Sequence, residues 1–172
     1  FALAEKREFR LAAQFSDQKA VGDNLLRGAD FSADQLGIKA ELALGPALLT
    51  AAYTTTGDGT NMQNPWSGYP GYTSVQVEDF NRAGEDAWLL RAGYRFPQVP
   101  GLSVHGLWVS GSDPDAPTDF SRDEYNLNLQ WSPESGALKG LMFRLRYSHV
   151  EQDNGAELDD FRLMIFYDPP KL

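Results

Sequence analysis

The chain has 172 residues, with 15 Lys and Arg against 24 Asp and Glu, so its formal net charge is −9. This acidic balance argues against a nucleic-acid-binding protein, which needs a basic excess to neutralise phosphates. Cysteine is absent, which excludes disulfides, thiolate metal sites and a cysteine nucleophile within this chain. No apolar run approaches the ~18 residues that a membrane-spanning helix needs.

Apolar and polar residues alternate along most of the chain, which is the period expected of β-strands. The clearest case is 125–131, Tyr-Asn-Leu-Asn-Leu-Gln-Trp, where every odd position is apolar and every even position is polar. No segment of comparable length has a helical period, so the predicted fold is all-β, an antiparallel up-and-down transmembrane β-barrel. Eight strands are predicted, in chain order at 9–15, 36–44, 49–54, 88–96, 102–110, 125–131, 143–148 and 160–167.

The predicted connections alternate between short and long. Tight turns marked by Gly and Pro are expected at 45–46, 97–101 and 132–136, and long polar links at 16–34, 57–86, 111–121 and 151–159. Outer-membrane barrels have this asymmetry, with short turns on the periplasmic side and longer loops on the extracellular side. The pattern therefore favours a membrane barrel over a compact soluble domain.

The apolar faces of the predicted strands indicate which surface they meet. Their interiors hold Leu, Ala and Ile without charge, while aromatic residues lie toward the strand ends, as in the interfacial girdles of a membrane barrel. A soluble β-barrel or sandwich, with the same faces buried in a core, remains the alternative. The aromatic positions are Tyr53, Trp88, Tyr94, Phe96, Trp108, Tyr125, Trp131, Tyr147 and Tyr167.

Three stretches resemble the OprD family, the substrate-specific outer-membrane channels for small carboxylates in Gram-negative bacteria. They are Asn-Pro-Trp-Ser-Gly-Tyr-Pro-Gly-Tyr-Thr-Ser at 64–74 with Glu-Asp-Phe-Asn-Arg-Ala-Gly-Glu at 78–85, Phe-Arg-Leu-Arg-Tyr at 143–147, and Asp-Phe-Arg-Leu-Met-Ile at 160–165. The resemblance implies that residues 1–172 form the C-terminal half of a barrel of about eighteen strands. The alternative is a single self-contained barrel domain of eight strands with a closed lumen, acting as an anchor or adhesin.

Charged residues separate by strand face. A basic polar face would attract anions if it lined a pore, and this agrees with the basic ladder that the OprD resemblance implies. The alternative is that the arginines pair with acids and only stiffen the wall. The basic positions are Arg10, Lys39, Arg91, Arg95, Arg144, Arg146 and Arg162, against Glu41, Glu124 and Asp160, with the other acids assigned to loops.

The link at 57–86 is the predicted specificity element. The resemblance implies that it folds into the barrel, where Tyr72, Ser74 and Asp79 would offer hydroxyl donors and an acid to a zwitterion. An ordinary extracellular loop with solvated acids is the alternative.

Catalytic motifs are missing: the sequence has no nucleophile elbow, zinc-binding helix or phosphate-binding glycine loop. No enzyme activity, cofactor or metal is expected. The expected partners are small anionic or zwitterionic solutes, together with outer-membrane lipid and lipopolysaccharide, and no nucleic acid. The resemblance implies a monomer or a weak homotrimer, and the sequence does not specify which carboxylate or amino acid would pass.

Overall fold

A computed structural model describes residues 7–25, 27–64, 71–112 and 114–168. These residues form one antiparallel sheet in which each strand pairs with the next along the chain. The prediction of an all-β, up-and-down arrangement of eight strands is confirmed. The strands are β1 Arg7–Lys19, β2 Ser32–Leu44, β3 Ala47–Thr56, β4 Asp86–Arg95, β5 Leu102–Ser112, β6 Arg122–Trp131, β7 Leu141–Gln152 and β8 Glu157–Tyr167.

The register gives the sheet one apolar and one polar face. Leu42 of β2 lies opposite Leu49 of β3, while the next residue, Glu41, lies opposite Thr50. The apolar face is not covered: Leu11 is 69% exposed and Leu163 is 67% exposed. Leucine side chains this exposed cannot form the core of a soluble barrel, so the apolar face points outward.

Strand ends differ from the predictions at two of the long links. The predicted link at 151–159 is wrong, because β7 continues to Gln152 and β8 begins at Glu157, leaving a tight hairpin closed by Gln152 N–H donating to Ala156 O at 2.9 Å. The link predicted at 16–34 is shorter, spanning 20–31. In both places charged residues continue the strand, because a strand that extends beyond an apolar zone carries polar residues on both faces.

The longest connection, between β3 and β4, crosses the polar face of the sheet. Its residues 71–85, called here the inward segment, contribute Phe80 to a small core with Ala52, Leu89 and Val109 of the wall. Apolar and polar residues alternate less regularly along 102–110 than along the other strands. This core explains the difference, because Leu107 and Val109 are apolar residues on the polar face, covered by the inward segment. The quoted stretch 65–70 of the family resemblance lies outside the described residues.

The sheet does not close on itself. Strands β1 and β8 are its two edges, and over the described part of the chain they make no contact with each other. The sheet therefore gives no support to a self-contained barrel of eight strands. No helix in the described residues is long and apolar enough to span a membrane.

Candidate functional site

The polar face carries a group of basic residues on β4, β5, β7 and β8. This basic group consists of Arg91, His105, Arg144, Arg146 and Arg162. Arg146 of β7 lies opposite Asn128 of β6 on one side and opposite Arg162 of β8 on the other. Arg144 lies opposite Gln130 and accordingly donates from Nε to the Gln130 amide oxygen at 3.0 Å. Because residues two apart on a strand share a face, Arg144 and Arg146 are separated by roughly 6.5 to 7 Å along it.

Arg91 joins this group from β4. Its Nη2 lies 3.2 Å from Nδ1 of His105 on β5. Since a guanidinium only donates, Nδ1 acts as the acceptor and the imidazole proton sits on Nε2. His105 itself lies opposite Asn128, so the basic group runs continuously across the polar face from β4 to β7.

Basic residues of the polar face differ in their acidic partners. Arg10 pairs with Glu8 at 2.8 Å, Lys39 with Glu41 at 3.5 Å, and Arg162 with Asp160. Arg91, Arg144 and Arg146 form no ion pair with any described carboxylate. The buried Nε atoms of Arg91 and Arg146 also have no hydrogen-bond partner among the described residues.

Two adjoining cavities lie along this basic group. The one beneath the inward segment, called here the upper cavity, has a volume of about 340 Å³ and is lined by Lys39, Tyr72, Ser74 and Arg146 among others. The second, nearer the short turns, has a volume of about 450 Å³ and is lined by Arg10, Arg95 and Arg144 among others. Both cavities share the residues Glu41, Arg91, His105 and Asn128. All seven predicted basic residues therefore lie on this face, with Arg95 exposed at its turn end.

Of the three residues of the inward segment that were predicted to contact a solute, two line a cavity and one does not. Tyr72 and Ser74 line the upper cavity, and the ammonium of Lys39 lies 5.0 Å from the centre of the Tyr72 ring. Asp79 is bound within the connection itself, accepting from Ser74 Oγ at 2.6 Å and from Asn64. The Asp79 carboxylate therefore stabilises the connection through hydrogen bonds within it, whereas Tyr72 and Ser74 face the cavity.

Glycine makes the close approach of the inward segment possible. A Cβ atom at Gly111 would lie 2.5 Å from Glu85 Oε1 and 2.6 Å from the Phe80 ring. A Cβ atom at Gly37 would lie 3.1 Å from the Tyr72 ring. Any larger residue at Gly111 would push the segment away from the wall.

The sequence did not predict which residues of the wall hold the inward segment in place. Glu124, fully buried on β6, accepts from three consecutive backbone N–H groups of the segment, and Arg122 pairs with Glu78 at 2.7 Å and Glu85 at 3.2 Å. Thr54 of β3 and Thr73 share a hydrogen bond of 2.7 Å. The charged residue Glu124 directly before the clearest alternation, at 125–131, is a signal, but nothing in the sequence indicates which backbone groups it binds.

Aromatic residues form belts at both ends of the outward face. The rings of Tyr53 and Trp88 lie 4.6 Å apart at the long-loop end, and Trp131 stacks on Phe143 at 5.9 Å at the short-turn end. The Tyr53 hydroxyl donates to Asp86 at 2.8 Å, so its polar tip points away from the apolar zone. Aromatic residues with an apolar body and a hydrogen-bonded tip are typical of a membrane interface.

An exposed apolar face between two aromatic belts, backed by a polar face with cavities, defines the wall of a transmembrane β-barrel of the porin type. The family profile described as outer membrane porin, OprD family, matches residues 1–170. The chain therefore belongs to the OprD family of outer-membrane porins.

Known relatives agree with this assignment. Porin D of Pseudomonas aeruginosa is 30% identical over 114 residues, an alignment covering 55% of this chain and 26% of Porin D. Among solved structures from the same organism, OccK9 (OpdG) matches with a TM-score of 0.86 at 24% identity, covering 95% of this chain and 43% of that one. OprD matches with a TM-score of 0.86 at 24% identity, covering 96% and 48%.

The chain thus spans less than half the length of these porins, which fits the predicted C-terminal half. The homologues are channels rather than enzymes. No group of three or more His, Asp or Glu in the described residues could hold a metal ion.

Proposed function

We propose that the porin containing this chain is a diffusive channel selective for small carboxylates and carboxylate-bearing amino acids, and that Arg91, Arg144 and Arg146 form its anion path. The observation that carries the proposal is that these three guanidiniums line adjoining cavities without a carboxylate partner among the described residues. An arginine already paired with an acid has little charge left for a solute, whereas an unpaired one attracts anions.

The chemistry of guanidinium suits a passage better than a tight site. Arginine stays charged at any physiological pH and offers a carboxylate two parallel donors. A spacing of roughly 6.5 to 7 Å between Arg144 and Arg146 lets a carboxylate leave one guanidinium as it meets the next. Such charges lower the entry barrier without driving transport, so no energy source or cofactor is required.

The upper cavity adds groups that would discriminate among solutes. Tyr72 and Ser74 bring hydroxyls to its rim, and Glu41 brings an acid beside Lys39. A zwitterion with its carboxylate on Arg146 would find these groups for its ammonium. Asp79 would act indirectly in this arrangement, through the position of Ser74.

The test compares Arg144→Ala and Arg146→Ala with Arg10→Ala in planar bilayers and in liposome uptake of small carboxylates. Each of the first two should lower carboxylate flux by up to roughly tenfold, because each removes one uncompensated charge. Arg10→Ala is made together with Glu8→Gln, so that an ion pair of no net charge is removed, and this double variant should lower the flux less. Equal effects in all three variants would remove the anion path from the proposal.

The competing function is an anchor or adhesin with a closed lumen. It predicts no single-channel steps in bilayers and a phenotype only when loops are cut. Contacts with lipopolysaccharide and a monomeric or weakly trimeric state are further proposals for the whole porin, which native mass measurement in detergent would test.

A further inference from the structure

We propose that Glu124 is a positioning residue that holds the inward segment across the polar face and thereby sets the width of the passage. The proposal rests on the channel function above. Nothing in that function requires a particular anchor, because the segment could have been held by apolar packing alone.

Glu124 binds the segment through its backbone. Its Oε1 accepts from the N–H groups of Gln76 and Val77, each at 3.1 Å, and its Oε2 accepts from Glu78 N–H at 2.8 Å. Consecutive N–H groups that converge on one anion form a cradle whose binding is charge-assisted. Three donors of the segment are thus satisfied by a single side chain of the wall.

The carboxylate is also fixed from the wall side. Asn126 Nδ2 donates to Oε1 at 2.9 Å, and Ser148 Oγ donates to Oε1 at 2.8 Å. Glu124 and Ser148 are each 0% exposed, so no water competes for these bonds. A buried carboxylate with this many donors has one preferred position, which makes it a rigid attachment point.

One of the attached residues, Gln76, borders the upper cavity. Gln76 lines it beside Arg146 and Asn126, and the Gln76 carbonyl accepts from Arg162 Nη2 at 3.2 Å. From Thr73 at β3 to Gln76 near β8, the segment therefore crosses the wall directly above the basic group. If residues 76–78 were released from the wall, that cavity would lose its cover and open on this side.

The backbone of the segment is strained at one residue, so contacts with the wall must hold it in this conformation. Phe80 is buried with a φ of 48°, a left-handed conformation that costs a bulky residue and persists only where surrounding contacts impose it. The guanidinium of Arg122 lies 4.9 Å from the centre of the Phe80 ring. With Glu124 removed, the segment would have both strain to release and fewer bonds to oppose that release.

The experiment measures the single-channel conductance of the porin and its size limit for neutral polymers, in Glu124→Asp and Glu124→Gln. Aspartate keeps the charge but is shorter, and glutamine keeps the length but places an N–H₂ group against the segment. Both should raise the conductance by about twofold or more and admit larger polymers, because both break the attachment. Glu41→Gln, which removes an acid from the same face, should change ion preference without changing the size limit.

A disulfide provides the rescue. The chain has no cysteine, so Thr54→Cys with Thr73→Cys would join the segment to β3 at the point where the two hydroxyls now lie 2.7 Å apart. In the Glu124→Gln background the oxidised pair should return conductance toward the wild-type value, and reduction should raise it again. If Glu124 variants fail to fold, Val77→Pro removes one donor from the segment alone and should widen the channel in the same way.

Folded Glu124→Asp and Glu124→Gln proteins with unchanged conductance and size limit would overturn the positioning role. So would a change in Glu124→Gln alone that affects ion preference but not polymer size, since that would be an effect of charge. A wild-type protein without channel steps would instead overturn the proposed function.

Discussion

Charged residues of the wall have two different roles, which their burial distinguishes: some face the cavities, and others hold the structure together from a buried position. Arg91 and Arg146 face cavities, whereas the side chain of Arg122 is only 2% exposed and lies between two carboxylates. Glu85, one of those carboxylates, is fully buried. Burial raises the pKa of the Glu85 carboxyl, and the neighbouring Arg122 guanidinium opposes that rise.

Arg122→Met should therefore destabilise the fold by about 3–5 kcal/mol near neutral pH, because it leaves a buried carboxylate without its partner. The sign of the pH dependence follows from the raised pKa of Glu85. Without the Arg122 guanidinium the pKa of Glu85 in the folded state rises further, so the variant gains more stability than the wild type as pH falls, and its destabilisation should shrink at acidic pH. Denaturant unfolding, followed by tryptophan fluorescence at neutral and at acidic pH, measures the free energy of unfolding of variant and wild type.

Arg82→Met is the matched control for that prediction. Arg82 pairs more loosely with Asp119, at 3.9 Å with a side chain 21% exposed, so its loss should cost less than about 1 kcal/mol at either pH. An Arg122→Met defect of constant size across pH would contradict the role assigned to Glu85.

Whole strands were the most predictable part of the molecule. In β6 the alternation from Tyr125 to Trp131 fixes both faces, because lipid on one side and water on the other leave no choice of orientation. Strand ends were less predictable, since Glu151 and Glu157 are polar whether they lie in a loop or in a strand beyond the membrane. The contacts of Glu124 with 76–78 could not be predicted either, because they join a side chain to backbone groups far away in the sequence.

The assignment of faces is testable on β6. Leu127 lies between the belt residues Tyr125 and Trp131 on the outward face and is 48% exposed, so Leu127→Arg should destabilise the barrel by about 2–4 kcal/mol. Gln130→Arg, on the same strand, places the same charge on the polar face at a half-buried position that lines the second cavity, and should cost only about 1 kcal/mol through repulsion from Arg144 opposite. Folding titrations in phospholipid vesicles compare the two, and equal costs would mean that the faces are wrongly assigned.

At the scale of the whole molecule, acidic loops and a basic wall coexist in one chain of net charge −9. The sequence predicted only part of this separation, because Asp86, Glu151, Glu157 and Asp159, which were assigned to loops, lie on strands. It could not predict the complete passage, because a wall that spans less than half of its relatives' length gives only one side of it. The ion pairs of Arg10, Lys39 and Arg162 could not be predicted either. Each acidic partner lies two residues away on the same strand, and the sequence alone does not show whether the two side chains are in contact.

The open edges of the sheet lead to the last prediction. In a membrane, unpaired N–H and C=O groups each cost several kcal/mol, so we expect β1 and β8 to pair with strands from outside these eight. Hydrogen exchange should show this directly. In the whole porin, amides of β1 and β8 should be protected like those of β4 and β5, which pair on both sides. In residues 1–172 produced alone in detergent, the outer amides of β1 and β8 should exchange fast while β4 and β5 stay protected. Full protection of both edges in the isolated chain, together with a monomeric mass, would mean that β1 and β8 pair with each other, and the self-contained barrel would then be the correct architecture.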